Sequence, residues 1–133
     1  MAVSWEIRGS LLILTLSGNC EDELVNAILM AIEDPRFAPE KSLLFDARLW
    51  AGHPTSTDFQ QRASWLASLR ADGIARRCAI VVGAKPHQYG LARMAATYLD
   101  FEDMEMEIFK EMEAAIEWLE RAARERVQTA GGG

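Results

Sequence analysis

Apolar and polar positions alternate along this chain in two distinct periods, and the switches between them divide it into nine elements. Glu6-Ile7-Arg8 and the run from Leu11 to Leu16 flank Gly9-Ser10, a two-residue turn of the kind that joins antiparallel strands, which predicts an opening hairpin. From Asp22 to Glu33, Leu24, Ile28, Ala31 and Ile32 recur at helical spacing behind an acidic first turn, and the helix is expected to stop at Asp34-Pro35. The strand Leu43 to Ala47 is apolar except for Asp46 near its end, as in an interior strand of a parallel sheet. A second helix begins near Thr55 to Asp58, with Phe59, Ala63, Leu66 and Ile74 along one flank, Trp65 and Leu69 widening the stripe, and Gly73 closing it.

Cys78 to Val82 forms a second apolar interior strand, and Gly83-Ala84-Lys85-Pro86 leads into a helix with Leu91, Met94, Ala95, Tyr98 and Leu99 in phase. Met104 to Ile108 alternates strictly, so it predicts a strand buried on one face and lying at a sheet edge. A last helix, from Glu111 to about Arg126, turns Met112, Ala115, Ile116, Leu119 and Ala123 inward. The order β-β-α-β-α-β-α-β-α implies a mixed, mostly parallel five-stranded sheet with right-handed crossovers and four helices: one α/β domain over 1–126, with 127–133 a flexible tail in which the terminal glycines fray.

Length and charge narrow the classes. A chain of 133 residues buries roughly 68% of its unfolded surface without staples, so neither disulfide nor metal is needed. Two cysteines without a motif, Cys20 and Cys78, fit a reducing compartment. The first residues carry no basic region followed by an apolar stretch, and no run approaches the ~20 apolar residues of a membrane span, so a cytoplasmic protein without a membrane span is expected. The net charge of −6 argues against nucleic acid. Acidic residues concentrate from Asp100 to Glu120, as a solvated face or as a docking surface for a basic partner.

Four segments, Leu43-Leu44-Phe45-Asp46, Cys78-Ala79-Ile80-Val81-Val82, Tyr89-Gly90-Leu91-Ala92-Arg93 and the run from Ile108 to Leu119, give the chain a resemblance to the bacterial SpoIIAA-like branch of the STAS domains, whose fold is shared with CRAL/TRIO lipid carriers. The resemblance extends from about Trp5 to Leu119 and implies a single-domain SpoIIAA-like (STAS) fold. It also implies a non-enzymatic regulatory or binding module whose working surface is loop 46–58 and the helix after it. In such domains a Ser or Thr at the start of that helix is phosphorylated by a partner kinase, here placing the switch at Ser56 or Thr57 and implying an anti-sigma-like kinase or other regulator as partner. The Asp-Ser-Ser-Gly signature is replaced by His53-Pro54-Thr55-Ser56-Thr57-Asp58. Thr55-x-x-Asp58 and Thr57-x-x-Gln60 also have capping-box spacing, and a phosphate at the same helix start is favoured by the dipole.

No metal-ligand spacing, nucleophile elbow or phosphate-cradling glycine loop occurs, so no catalytic residue, metal or cofactor is expected. In a parallel sheet the loops after the strands share one edge, which would gather Ser17 to Cys20, Asp46 to Thr57, Gly83 to Tyr89 and Lys110. Candidate ligand-binding residues are therefore Asp46, Arg48, His53, Lys85, His87 and Tyr89. His53 and His87, the chain's two histidines, with Asp46 have the chemistry of a small hydrolase or lyase, while as residues beside Pro54 and Pro86 they also suit ordinary loops. Asp46 and Arg48 suit a strand-exit pair. Gly83 to Gly90 has the make-up of an anion-binding turn or of a proline-started helix. Acidic neighbours disfavour Cys20 as a nucleophile. Trp5, Trp50, Trp65 and Trp118 with Met94, Met104, Met106 and Met112 suit core packing or a greasy pocket such as the CRAL/TRIO relatives use, which implies as an alternative a carrier holding a small apolar or anionic ligand between the sheet edge and the helices starting at Thr55 and Pro86; an uncovered sheet edge suits a homo-oligomer.

Overall fold

Gly9 takes φ +58°, a left-handed conformation that costs a residue without Cβ nothing, and it turns β1 (Val3–Arg8) back onto β2 (Leu11–Gly18) with Arg8 opposite Leu11. The computed structural model of the chain describes residues 2–37 and 40–131. After the hairpin come α1 (Glu21–Glu33), β3 (Ser42–Trp50), α2 (Ser56–Ser68), β4 (Arg77–Val81), α3 (Pro86–Phe101), β5 (Glu105–Phe109) and α4 (Met112–Gly131). The five strands lie in the order β1-β2-β3-β4-β5. Only the β1–β2 pair is antiparallel; the others are parallel, so this is a mixed, mostly parallel sheet with four helices.

Because consecutive parallel strands step steadily across the sheet with right-handed connections, α1, α2 and α3 all fall on one face. Their core gathers Leu12, Leu14, Leu43, Phe45, Ala47, Ile80 and Val82 with Ile28, Leu66 and Leu99. The opposite face, Leu11, Ile13, Leu44, Ala79 and Val81, is closed by α4 through Ala115 and Leu119. The interior strands are apolar on both sides for this reason, and β5, at the edge, is only half-buried along its length.

Three boundaries differ from the sequence reading in ways that bear on function. β3 continues past Ala47 to Trp50, because Ser17 and Gly18 of β2 carry the ladder on to Leu49 and Trp50; Asp46 is thus inside the strand, not at its exit. The second helix tightens to a 3-10 turn over Leu69–Asp72 before Gly73 closes it at φ +104°, so Ile74 is not part of its stripe. α3 turns Gln88, Ala92 and Leu99 inward and leaves Met94 exposed. The last helix runs on to Gly131, and Gly132 and Gly133 lie outside the described residues.

Among the acidic residues from Asp100 to Glu120, several have partners: Arg76 lies 3.5 Å from Asp103 and 3.7 Å from Glu105, and Arg121 pairs with Glu117 at 3.1 Å. These pairs are exposed, so each contributes at most about 1 kcal/mol. No described helix is long and apolar enough to cross a membrane.

Candidate functional site

The carboxyl ends of the parallel strands are tied together by one side chain. Gln88, in the first turn of α3 and buried, accepts a hydrogen bond at Oε1 from the Gly83 N–H (2.7 Å) and donates from Nε2 to the carbonyls of Arg48 (3.0 Å) and Trp50 (3.1 Å). The same edge is stitched by the Ala51 N–H to the Gly18 carbonyl and the Val82 N–H to the Phe109 carbonyl. Periodicity of apolar residues passed over Gln88 because it is polar. Its signal was its place in phase with Ala92, Ala95 and Leu99, a stripe of buried or half-buried small and apolar residues.

Asp46 and Arg48 form a pair, with Arg48 Nε 2.9 Å from Oδ1 and Nη2 2.8 Å from Oδ2. The hydrogen bond from Arg48 holds the Asp46 carboxyl below the usual carboxylate range, against the opposing effect of burial. Strand alternation sends Asp46 and Arg48 to the face of Leu44, the α4 side, where Glu111 adds to the field at Arg48. That geometry separates Asp46 from the helix-covered face that carries Phe45 and Ala47, and both its oxygens are engaged by Arg48.

The two histidines do meet. Loop 51–55 and the start of α3 bring the rings of His53 and His87 to a centroid separation of 4.8 Å at a 40° tilt, both residues being exposed. Asp46 is turned away from them to the opposite face of the sheet, and among the described residues no cluster of three or more His, Cys, Asp and Glu suits a metal. Lys85 and Tyr89 are exposed on the outer side of the same segment. The Gly83 N–H, a donor that an anion-binding turn would need, is already given to Gln88.

At the start of α2, Thr55 and Asp58 form a reciprocal capping box: the Asp58 N–H reaches Thr55 Oγ1 at 3.1 Å and the Thr55 N–H reaches Asp58 Oδ2 at 2.8 Å. These bonds pull the Asp58 carboxyl below its ordinary range, the contact with the Thr55 backbone N–H contributing most. Ser56 and Thr57, the first two residues of the helix, are exposed.

Beside this cap a hollow enters the domain. Between the sheet residues Leu16, Phe45, Ile80 and Met106 and the helices α1, α2 and α3 lies an apolar cavity of about 100 Å³. Its inner wall is completed by Leu66 and Leu99, and its mouth is formed by Trp50, Pro54, Asp58 and Arg62. Cys20, Pro54, Asp58 and Arg62 also line a polar cleft of about 480 Å³ with Asn19, Asp22, Glu23 and His53. Of the eight tryptophans and methionines considered for a pocket, Trp50 and Met106 line the cavity; Trp5 and Trp65 pack on the periphery of the same core, and Trp118 and Met112 lie against α4's core. Asn19 lies in the Ser17 to Cys20 segment expected at this edge, whereas sequence reasoning missed Arg62, because a cleft between two helix starts has no local signature.

No family model matches the chain, and a search of curated proteins finds no match. A solved structure from Shewanella loihica PV-4, described as an uncharacterized protein from the DUF3478 family with a SpoIIAA-like fold, superposes with a TM-score of 0.56 at 20% identity, over 89% of this chain and 92% of that one. The chain has a SpoIIAA-like fold.

Proposed function

We propose that this chain is a non-enzymatic binding module, with loop 46–58 and α2 as its working surface, and that a small ligand enters from the cleft and seats its apolar part between the sheet and the three helices. The observation that carries this reading is that the apolar cavity and the polar cleft adjoin, sharing Cys20, Pro54, Asp58 and Arg62 in their linings. Ligand sites in proteins combine an apolar interior with a few placed polar groups, and in α/β sheets they gather at the carboxyl ends of the strands. A hydrolase or lyase built on His53, His87 and Asp46 is set aside, since Asp46 belongs to the α4 face and to Arg48. Regulation fits the same surface: Ser56 and Thr57 stand exposed between Pro54 and Asp58, both of which line the opening, so a phosphate added by a partner kinase would sit beside it.

Burial contributes about 0.8 kcal/mol per methylene, so a segment of about four methylenes supplies about 3 kcal/mol, which places binding of the bare probe in the millimolar range. The test is a titration of the protein with pentan-1-ol followed by amide NMR. Saturable shifts centred on Phe45, Leu66 and Leu99, abolished by the cavity-filling substitutions Ala63→Leu on α2 and Ala95→Leu on α3, support the proposal. Absence of saturable shifts in the wild-type protein, or shifts that survive both fillings, would overturn it.

A further inference from the structure

We infer that the ligand is a short aliphatic cation, an amphiphile with a segment of about four or five carbons and a protonated amine head, and that carboxylates are rejected. The inference rests on the ligand-binding reading and adds the chemistry of both ends of the guest.

Size comes from the inner chamber. At about 100 Å³ it is smaller than the ~150 Å³ dry cavity that accepts a benzene ring, so a short aliphatic segment fits where an aromatic ring or a long acyl chain does not. Phe45, Ile80, Leu66, Leu99 and Met106 offer that segment no hydrogen-bonding side chain, so the polar end must remain in the cleft.

Charge comes from the cleft. Among the described residues three carboxylates line it, Asp22, Glu23 and Asp58, against the guanidinium of Arg62 and the imidazole of His53. All three acids lie in the first turns of α1 and α2, where each helix N-terminus is equivalent to about half a positive charge. With the two dipoles and Arg62 set against the three carboxylates, these groups together retain about one net negative charge. Two of the acids are held in place: Glu23 Oε2 accepts from the Ala2 N–H at 3.0 Å and Asp58 Oδ2 from the Thr55 N–H at 2.8 Å. Asp22 is exposed, and its carboxylate is the one we assign to pair with the incoming ammonium. An anionic head would meet the same field with the opposite sign, beside an overall charge of −6.

The experiment compares three probes of one chain length, pentylamine, pentan-1-ol and pentanoate, by amide NMR titration of the full chain at neutral pH and low ionic strength. The expected order of affinity is amine, alcohol, acid, with about tenfold between the first and last. Molar salt, with a Debye length of ~3 Å, should compress that gap, and Asp22→Asn should weaken pentylamine and strengthen pentanoate, each by about threefold. If pentanol or pentanoate binds as tightly as pentylamine at low salt, or Asp22→Asn leaves the order and the gap unchanged, the cation inference is overturned while the binding reading stands. If none of the three binds, both fall together.

Discussion

The N–H of Gly83 donates to Gln88 Oε1 at 2.7 Å, an approach so close that a Cβ on residue 83 would stand 2.9 Å from the same oxygen and 3.4 Å from the Arg48 carbonyl. A side chain at 83 therefore fits only if the Gln88 amide shifts. Gln88 in turn is the polar one of the three buried residues of α3, and its amide makes one acceptor bond, from the Gly83 N–H, and two donor bonds to the end of β3.

Gln88→Leu leaves the Gly83 N–H and the Arg48 and Trp50 carbonyls without this partner, and the expected loss is about 2–3 kcal/mol of unfolding free energy. Gly83→Ala, which crowds the amide without removing it, should cost about 1–2 kcal/mol. Because both substitutions strike one contact, the double variant should lose less than the two single losses added together. Urea denaturation of the four proteins measures this. Strict additivity would show that the glycine and the glutamine act independently.

Asp46 makes stability depend on acidity in a stated direction. Its carboxyl is held low by Arg48, so the folded chain binds this proton less readily than the unfolded chain does. The stabilisation is complete above about pH 4 and is lost as pH falls through the lowered folded value. In Arg48→Ala the partner is gone while the burial remains, so the carboxyl should titrate at higher pH than in the wild type. The stability gap between the two proteins should then narrow on acidification. Carboxyl-detected NMR of Asp46 across the acid range tests it, and an unchanged titration in Arg48→Ala would remove the arginine from the explanation.

Cys78, fully buried in β4, has its thiol pushed up to about 12 by burial, with Glu105 adding to the effect. Since the thiolate is the reactive form, Cys78 should resist iodoacetamide in the folded protein at mildly alkaline pH. Its labelling across a urea series should follow the global unfolding curve. Rapid modification without denaturant, read by peptide mass spectrometry, would contradict the packing around β4.

Much of the architecture was legible because it rests on local periodicity. The hairpin at Gly9-Ser10, the interior strands through Phe45 and Ile80, the alternating edge strand at Met106 and the inward stripe of α4 all express a two- or 3.6-residue repeat, and strand alternation is enough to assign faces. The repeat misled where a polar residue belongs to the core: reading α3 from its large apolar residues turned Met94 inward, whereas Gln88 occupies that face because its amide satisfies three backbone groups. It also stopped β3 at Ala47, since Arg48 breaks the apolar run although backbone pairing with β2 carries the strand to Trp50.

The sequence alone determined the order of elements, the α/β class and the edge at which His53 and His87 would emerge, because each follows from contacts a few residues apart or from the handedness of the connections. Only the tertiary structure decided what meets there. It put the two imidazoles in contact, sent Asp46 to the other face with Arg48, and left an apolar hollow lined by Trp50 and Pro54 next to an acidic cleft. Those relations depend on helix rotation and strand length, which are set by packing between residues distant in sequence, and no local pattern encodes the space that packing leaves unfilled.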